Sequence, residues 1–182
     1  ESALRRHDLT PDCLELELTE DVLQTGRGTI EALQTLRSMG ITIALDDFGT
    51  GFSSLASIER LPLSRVKFDR SLIAAIDENE RSAAIVTSMV RLCHDLGLAV
   101  TAEGVERPTQ LALLSGFGGV DVQGYLIARP QPVEDLVAQL PALRERVQAE
   151  LGKGMPPLIR ADGSDDETVT RIRGGLDRTL RR

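Results

Sequence analysis

At 182 residues the chain is long enough for one domain with a substantial core, and its formal charge of −7 argues against a broad basic surface for DNA or RNA. Hydrophobic residues make up 41% and aromatics only 3%, with no Trp, so the core must come from Leu, Ile, Val and Ala, as in parallel strands covered by helices. Cys13 and Cys93 lack metal-type spacing and suit a reducing compartment, and there is no signal peptide or membrane-spanning apolar run; a cytoplasmic chain is expected, with any membrane tether lying ahead of residue 1.

In chain order, CLELELT (13–19) reads as a strand, followed by a helix from about Thr29 to Met39 that stops at Gly40. ITIALDD (41–47) is the next strand, leading through a Gly-rich turn to a short helix around Ser54–Arg60. RVKFD (65–69) is a strand, and the helical pattern from Glu80 to Leu96 ends at Gly97. LAVTAEG (98–104) is a strand, Pro108–Leu114 a helix, Val120–Gln123 a short strand and Val133–Leu151 a long amphipathic helix. Alternating strands and helices imply a parallel sheet, either an open doubly wound sheet or a closed barrel. Residues 151–182 turn rich in Gly, Pro, Ser and acids and read as a flexible tail, with a short helix at its basic end.

The notable polar residues share one location. Glu17 and Glu20 stand at the end of the first strand, Asp46 and Asp47 at the second, and Lys67 and Asp69 at the third. Glu103 and Glu106 follow the fourth strand, and Gln123 the fifth. Taken singly, Glu17 reads as an exposed strand residue, Lys67 as a surface charge and Glu103 as a helix cap. As a set they converge on the C-terminal rim of a parallel sheet, where barrel active sites are assembled. Two like charges about 4 Å apart repel by roughly 4 kcal/mol at an effective dielectric near 20, so clustered carboxylates call for cations or protons. Hard divalent ions take oxygen ligands, and two ions sharing a carboxylate suit in-line attack of water on a phosphodiester. Neighbouring strand residues point to opposite faces, so Asp46 and Asp47 reach one site only where the strand breaks. Gly49 and Gly51 are expected to supply that break. His7 and His94 have no partner pattern.

ELTE (17–20), IALDDFGTGFSSL (43–55), LPLSRVKFDRSLI (61–73), TAEGVE (101–106) and QGYLIARP (123–130) together resemble the successive signatures of the EAL phosphodiesterases, in family order. The resemblance implies a TIM-like (β/α)8 barrel that hydrolyses cyclic di-GMP to linear pGpG with two Mg²⁺ or Mn²⁺ ions. It implies that Glu17, Asp46, Asp47 and Glu103 bind metal, with Asp46 bridging, and that Glu103 also serves as general base. Lys67 would hold the attacking water, Gln123 would position water or substrate, and Glu20 would steady the DDFGTG loop, with Asp69 and Glu106 in similar supporting roles. A homodimer of the complete barrel, and an N-terminal sensor or GGDEF domain in the parent protein, belong to the same expectation.

The Glu-Ala-Leu tripeptide that names the family is absent, as are the family's Asn on the following strand and its substrate-binding Arg. Phe52 stands where Tyr is common, Phe68 departs within the KID-like motif, and Val120 replaces a usual Asp. The chain is therefore expected to begin just before the fourth strand, with residues 1–150 forming about the last five βα units of the barrel. A barrel without its first strands cannot close, so the chain alone is expected to be inactive: a fragment or truncated product, ahead of a half-barrel completed by another chain. The retained acidic set favours an enzyme over the alternative, a non-catalytic cyclic di-GMP-binding or protein-interaction domain.

Overall fold

The structure is a computed structural model and describes residues 2–19, 27–50 and 55–152. Five strands, β1 (Glu15–Leu18), β2 (Thr42–Phe48), β3 (Arg65–Phe68), β4 (Ala99–Ala102) and β5 (Val120–Val122), form one sheet. All adjacent pairs are parallel, and the spatial order is the chain order. A doubly wound sheet reverses its strand order at a switch point. Among the described residues no such reversal occurs, which is the strand order of a singly wound barrel.

The helices are α1 (Ser2–Arg6), α2 (Arg27–Ser38), α3 (Leu55–Arg60), α4 (Arg70–Ile73), α5 (Glu80–Asp95), α6 (Pro108–Gly116) and α7 (Val133–Leu151). A 3-10 turn, Pro11–Cys13, precedes β1. The 13–19 strand is shorter than expected because its first residue closes that turn. The α1 and α4 helices are too short to show periodicity in sequence. Helix α5 starts where Asn79 Oδ1 accepts from the Arg81 and Ser82 amides, and stops before Gly97, whose φ is +72°.

Period-2 alternation divides the sheet. Ile43, Leu45, Val66, Phe68, Val100 and Ala102 are fully buried on the helix-facing side. There Ala83, Val86, Val90 and Cys93 bring one face of α5 into the core, and Leu111, Leu113 and Leu114 do so from α6. Burying each Ile, Leu, Val or Phe side chain contributes about 1.5–3 kcal/mol, so this face holds the strands in register. The opposite face carries Glu15, Glu17, Asp46, Arg65, Lys67, Thr101 and Asp121. Arg65 binds across it, donating from Nε to Glu15 (3.2 Å) and from Nη1 to Thr101 Oγ1 (2.7 Å) and Asp121 (2.5 Å).

Helix α7 has no fully buried residue and contains Pro141, and its Arg146 donates to the Leu126 and Ile127 carbonyls just beyond β5. No helix among the described residues is long and apolar enough to cross a membrane. Glu20, Gly51, Phe52 and the tail from residue 153 lie outside the described residues.

Candidate active site

Lys67 is the centre of the polar rim. The register that buries Val66 and Phe68 against the helices turns Lys67 inward, where the residue is only 7% exposed. Its Nζ lies 2.7 Å from Glu17 Oε1 on β1, 2.8 Å from Asp46 Oδ1 on β2 and 2.8 Å from Glu103 Oε1 after β4. Burial pulls the Lys67 pKa down, but contacts with Asp46, Glu103 and Glu17 outweigh it and hold the ammonium well above its usual range. Lys67 therefore stays charged at any physiological pH.

The Asp46–Asp47 pair is delivered by a bulge. The β2–β3 register shifts between Leu45 and Phe48, and Asp47 takes a left-handed φ of +54° inside the strand. The break thus comes earlier than the glycines of the following loop, and Asp47 itself makes it; short polar residues tolerate this conformation best among non-glycines. The Asp47 carbonyl accepts from the Thr50 hydroxyl at 3.1 Å, which steadies the turn. As a result Asp46, Asp47 and Glu103 offer carboxylate oxygens that all lie within 4.8 Å of one another.

Three carboxylates, those of Glu17, Asp46 and Glu103, contact one ammonium, and Asp47 is clustered with two of them. Asp46 Oδ1 is buried and paired with the Lys67 ammonium at 2.8 Å. Clustered carboxylates that outnumber the nearby positive charge repel one another, and a hard cation relieves that directly. The carboxylate oxygens of Asp46, Asp47 and Glu103, gathered within 4.8 Å, fit a divalent metal ion.

The other expected residues are placed around this group. Asp69 caps α4, accepting from the Ser71 amide at 2.8 Å, and that bond holds its carboxyl below the usual range. Glu106 forms an exposed pair with Arg70 at 3.2 Å. Gln123 lies at the end of β5 with an exposed side chain; its amide donates to the Ala102 carbonyl and its carbonyl accepts from Val105. Its side chain is not brought into contact with the Lys67 cluster.

Sequence reasoning missed the network behind Glu103. Arg107 Nε donates to Asp77 at 2.9 Å, its Nη2 reaches the other Asp77 oxygen, and Thr109 adds a third donor. Gln110 Oε1 accepts from the Glu106 and Arg107 amides, both at 2.9 Å. Gln110 three residues into a helix was a readable capping signal. Asp77, thirty residues away from Arg107, carried none.

Comparison with known proteins adds lineage to this geometry. Residues 1–130 match the model of the EAL domain. The cyclic di-GMP phosphodiesterase NbdA of Pseudomonas aeruginosa is 43% identical over 157 residues, covering 86% of this chain and 19% of that protein. The structure of the MucR phosphodiesterase in complex with cyclic di-GMP is 42% identical with a TM-score of 0.67, covering 74% of this chain and 55% of that one. Klebsiella pneumoniae BlrP1, in a complex with manganese and cyclic di-GMP, is 37% identical with a TM-score of 0.65, covering 71% of this chain and 33% of that one. The chain spans about a fifth of the length of curated relatives it matches.

Proposed function

The chain belongs to the EAL domain family, and on that footing we propose that its rim serves metal-dependent hydrolysis of cyclic di-GMP to linear pGpG. The observation that carries this reading is the Lys67 ammonium enclosed by Glu17, Asp46 and Glu103, with carboxylate oxygens of Asp46, Asp47 and Glu103 gathered within 4.8 Å beside it.

Glu17, Asp46, Asp47 and Glu103 would hold two Mg²⁺ or Mn²⁺ ions. When bound, such ions supply charge that acidifies a water and neutralises phosphate oxygens. Lys67, locked in its protonated form, is a donor and not a base; it orients the water and faces the phosphate charge. Glu103 accepts the proton of the attacking water. As the new P–O bond forms, the bond to one ribose oxygen breaks; that oxygen takes a proton from solvent water, and Glu103 returns its proton to solvent. Gln123 would orient water or substrate through its free amide, while Asp69, Glu106 and Glu20 steady the loops.

Residues 1–150 would form the later part of the barrel, with 151–182 as a tail outside it. A homodimeric state of the complete barrel and an attached sensor or GGDEF domain belong to the same reading.

The test is product analysis of cyclic di-GMP incubated with Mn²⁺ and the completed barrel, beside its Glu103→Ala variant. Linear product from the parent and none from the variant, with ligand binding kept in both, is the expected result. Binding without turnover in the parent would overturn hydrolysis in favour of a receptor.

A further inference from the structure

We infer that Arg107, held by Asp77, is a positioning residue for the metal ligand Glu103, an inference that rests on the metal-dependent reading above. The two residues lie outside the carboxylate cluster, yet they close a ring of contacts that begins and ends in it. From Lys67 the chain runs through Phe68 and Asp69 into α4, a single turn whose C-terminal carbonyls are Ile73 and Ala74. Arg107 Nη2 donates to the Ala74 carbonyl at 2.6 Å, and Gln110 Nε2 to the Ile73 carbonyl at 3.2 Å. The Glu106 and Arg107 amides are held by Gln110, and three residues earlier Glu103 lies against Lys67 at 2.8 Å.

The loop between β4 and α6 is therefore fastened at both ends to the segment that starts at Lys67. At its near end the Glu103 amide donates to the Phe68 carbonyl at 3.0 Å. At its far end the anchor is Asp77, 6% exposed, whose carboxylate receives the Arg107 fork and the Thr109 hydroxyl. Gly104 lets the loop lie flat on Arg70: its φ is +67°, and a Cβ would meet Arg70 Cγ at 2.5 Å. Each hydrogen bond removes a way for the Glu103 backbone to move, so releasing Arg107 widens the range of carboxylate positions. A metal site tolerates little such spread, and loss of supporting contacts commonly weakens metal binding about 10–100-fold. A buried ion pair that merely stabilised the fold would shift the melting temperature and leave metal affinity alone.

The experiment is titration of the full chain with Mn²⁺, following free Mn²⁺ by electron paramagnetic resonance, on the parent, Arg107→Gln and Arg107→Lys, with thermal melting of each. The Gln variant is expected to melt cooperatively and bind Mn²⁺ about tenfold more weakly, and the Lys variant to recover part of the loss by restoring charge to Asp77. Parent-like Mn²⁺ affinity in the Gln variant would overturn the inference even if its melting temperature fell. Should the Gln variant not fold, the Lys variant decides: it lacks the fork that reaches both Asp77 and Ala74, so about a threefold loss is expected and none would overturn the inference. Absence of Mn²⁺ binding by the parent, both as the full chain and as the completed barrel, overturns the metal-dependent reading itself, and this inference with it.

Discussion

Lys67 Nζ and Glu103 Oε1 meet at 2.8 Å across neighbouring strands, and the same ammonium lies 2.8 Å from Asp46 and 2.7 Å from Glu17. One buried cation thus restrains three carboxylates that would otherwise repel. Lys67→Met should cost about 3 kcal/mol at neutral pH, because it leaves those anions uncompensated. Urea unfolding with and without Mn²⁺ checks this. Added Mn²⁺ should stabilise the variant more than the parent, and equal stabilisation would argue that the ions bind elsewhere.

Gly124 marks the closest approach of the Gln123 segment to the Glu103 loop. A Cβ there would meet the Val105 carbonyl oxygen at 2.2 Å and its amide nitrogen at 2.3 Å, both backbone atoms that cannot swing aside. Gly124→Ala should destabilise the chain by about 2–3 kcal/mol by forcing the two segments apart. It should also weaken Mn²⁺ binding, since Val105 lies two residues beyond Glu103. A variant with parent-like stability would show that the loop is softer than its contacts imply.

Acid sensitivity should trace partly to Asp77. The Arg107 guanidinium, aided by Thr109, holds the Asp77 carboxyl below the usual carboxylate range against the opposing effect of burial. A depressed folded-state pKa contributes stability above the unfolded value near about 4 and loses it as pH falls through the folded value. The melting-temperature gap between the parent and Asp77→Asn should therefore be widest at neutral pH and narrow below about pH 4. A pH-independent gap would assign the loss to packing instead of charge.

Thiol reactivity should separate the two cysteines. Cys93 is buried on α5 and burial pushes its pKa up to about 11, whereas Cys13 is exposed beside Thr10. A thiolate is the reactive form, so native chain should take up one equivalent of a disulfide reagent quickly and the second only on unfolding. Rapid reaction of both would mean that α5 opens locally from the sheet.

Much of this architecture was legible in the chain. The strands showed because Ile43, Leu45, Val66, Phe68 and Val100 alternate with polar or small residues, a signal of period two that survives into the sheet. The rim residues showed because parallel strands all end on one side, which makes position along a strand a proxy for position in space. Three features were hidden for physical reasons. Asp47 adopts its left-handed backbone under tertiary constraint, and no local propensity announces it. The α4 helix is one turn long, below the length at which periodicity can be read. The Asp77–Arg107 bond joins residues thirty apart that meet only once α4, α5 and α6 have packed.

The bulge in β2 has a consequence for how such a sheet can change over time. In a strand of strict alternation, inserting or deleting one residue exchanges the two faces: Val66 would enter the acidic rim and Lys67 the apolar core. Single-residue length changes within β1, β3 or β4 are therefore closed to drift, and variation in length is confined to the connections. In β2 such a one-residue offset is already present, kept in place by Asp47, and it is what lets two consecutive codons serve the same side of the sheet. A second offset in that strand would restore ordinary alternation and part the two aspartates. The paired acids thus act as a reading-frame mark in the fold, and their joint loss or joint retention across descendants is the pattern this geometry permits.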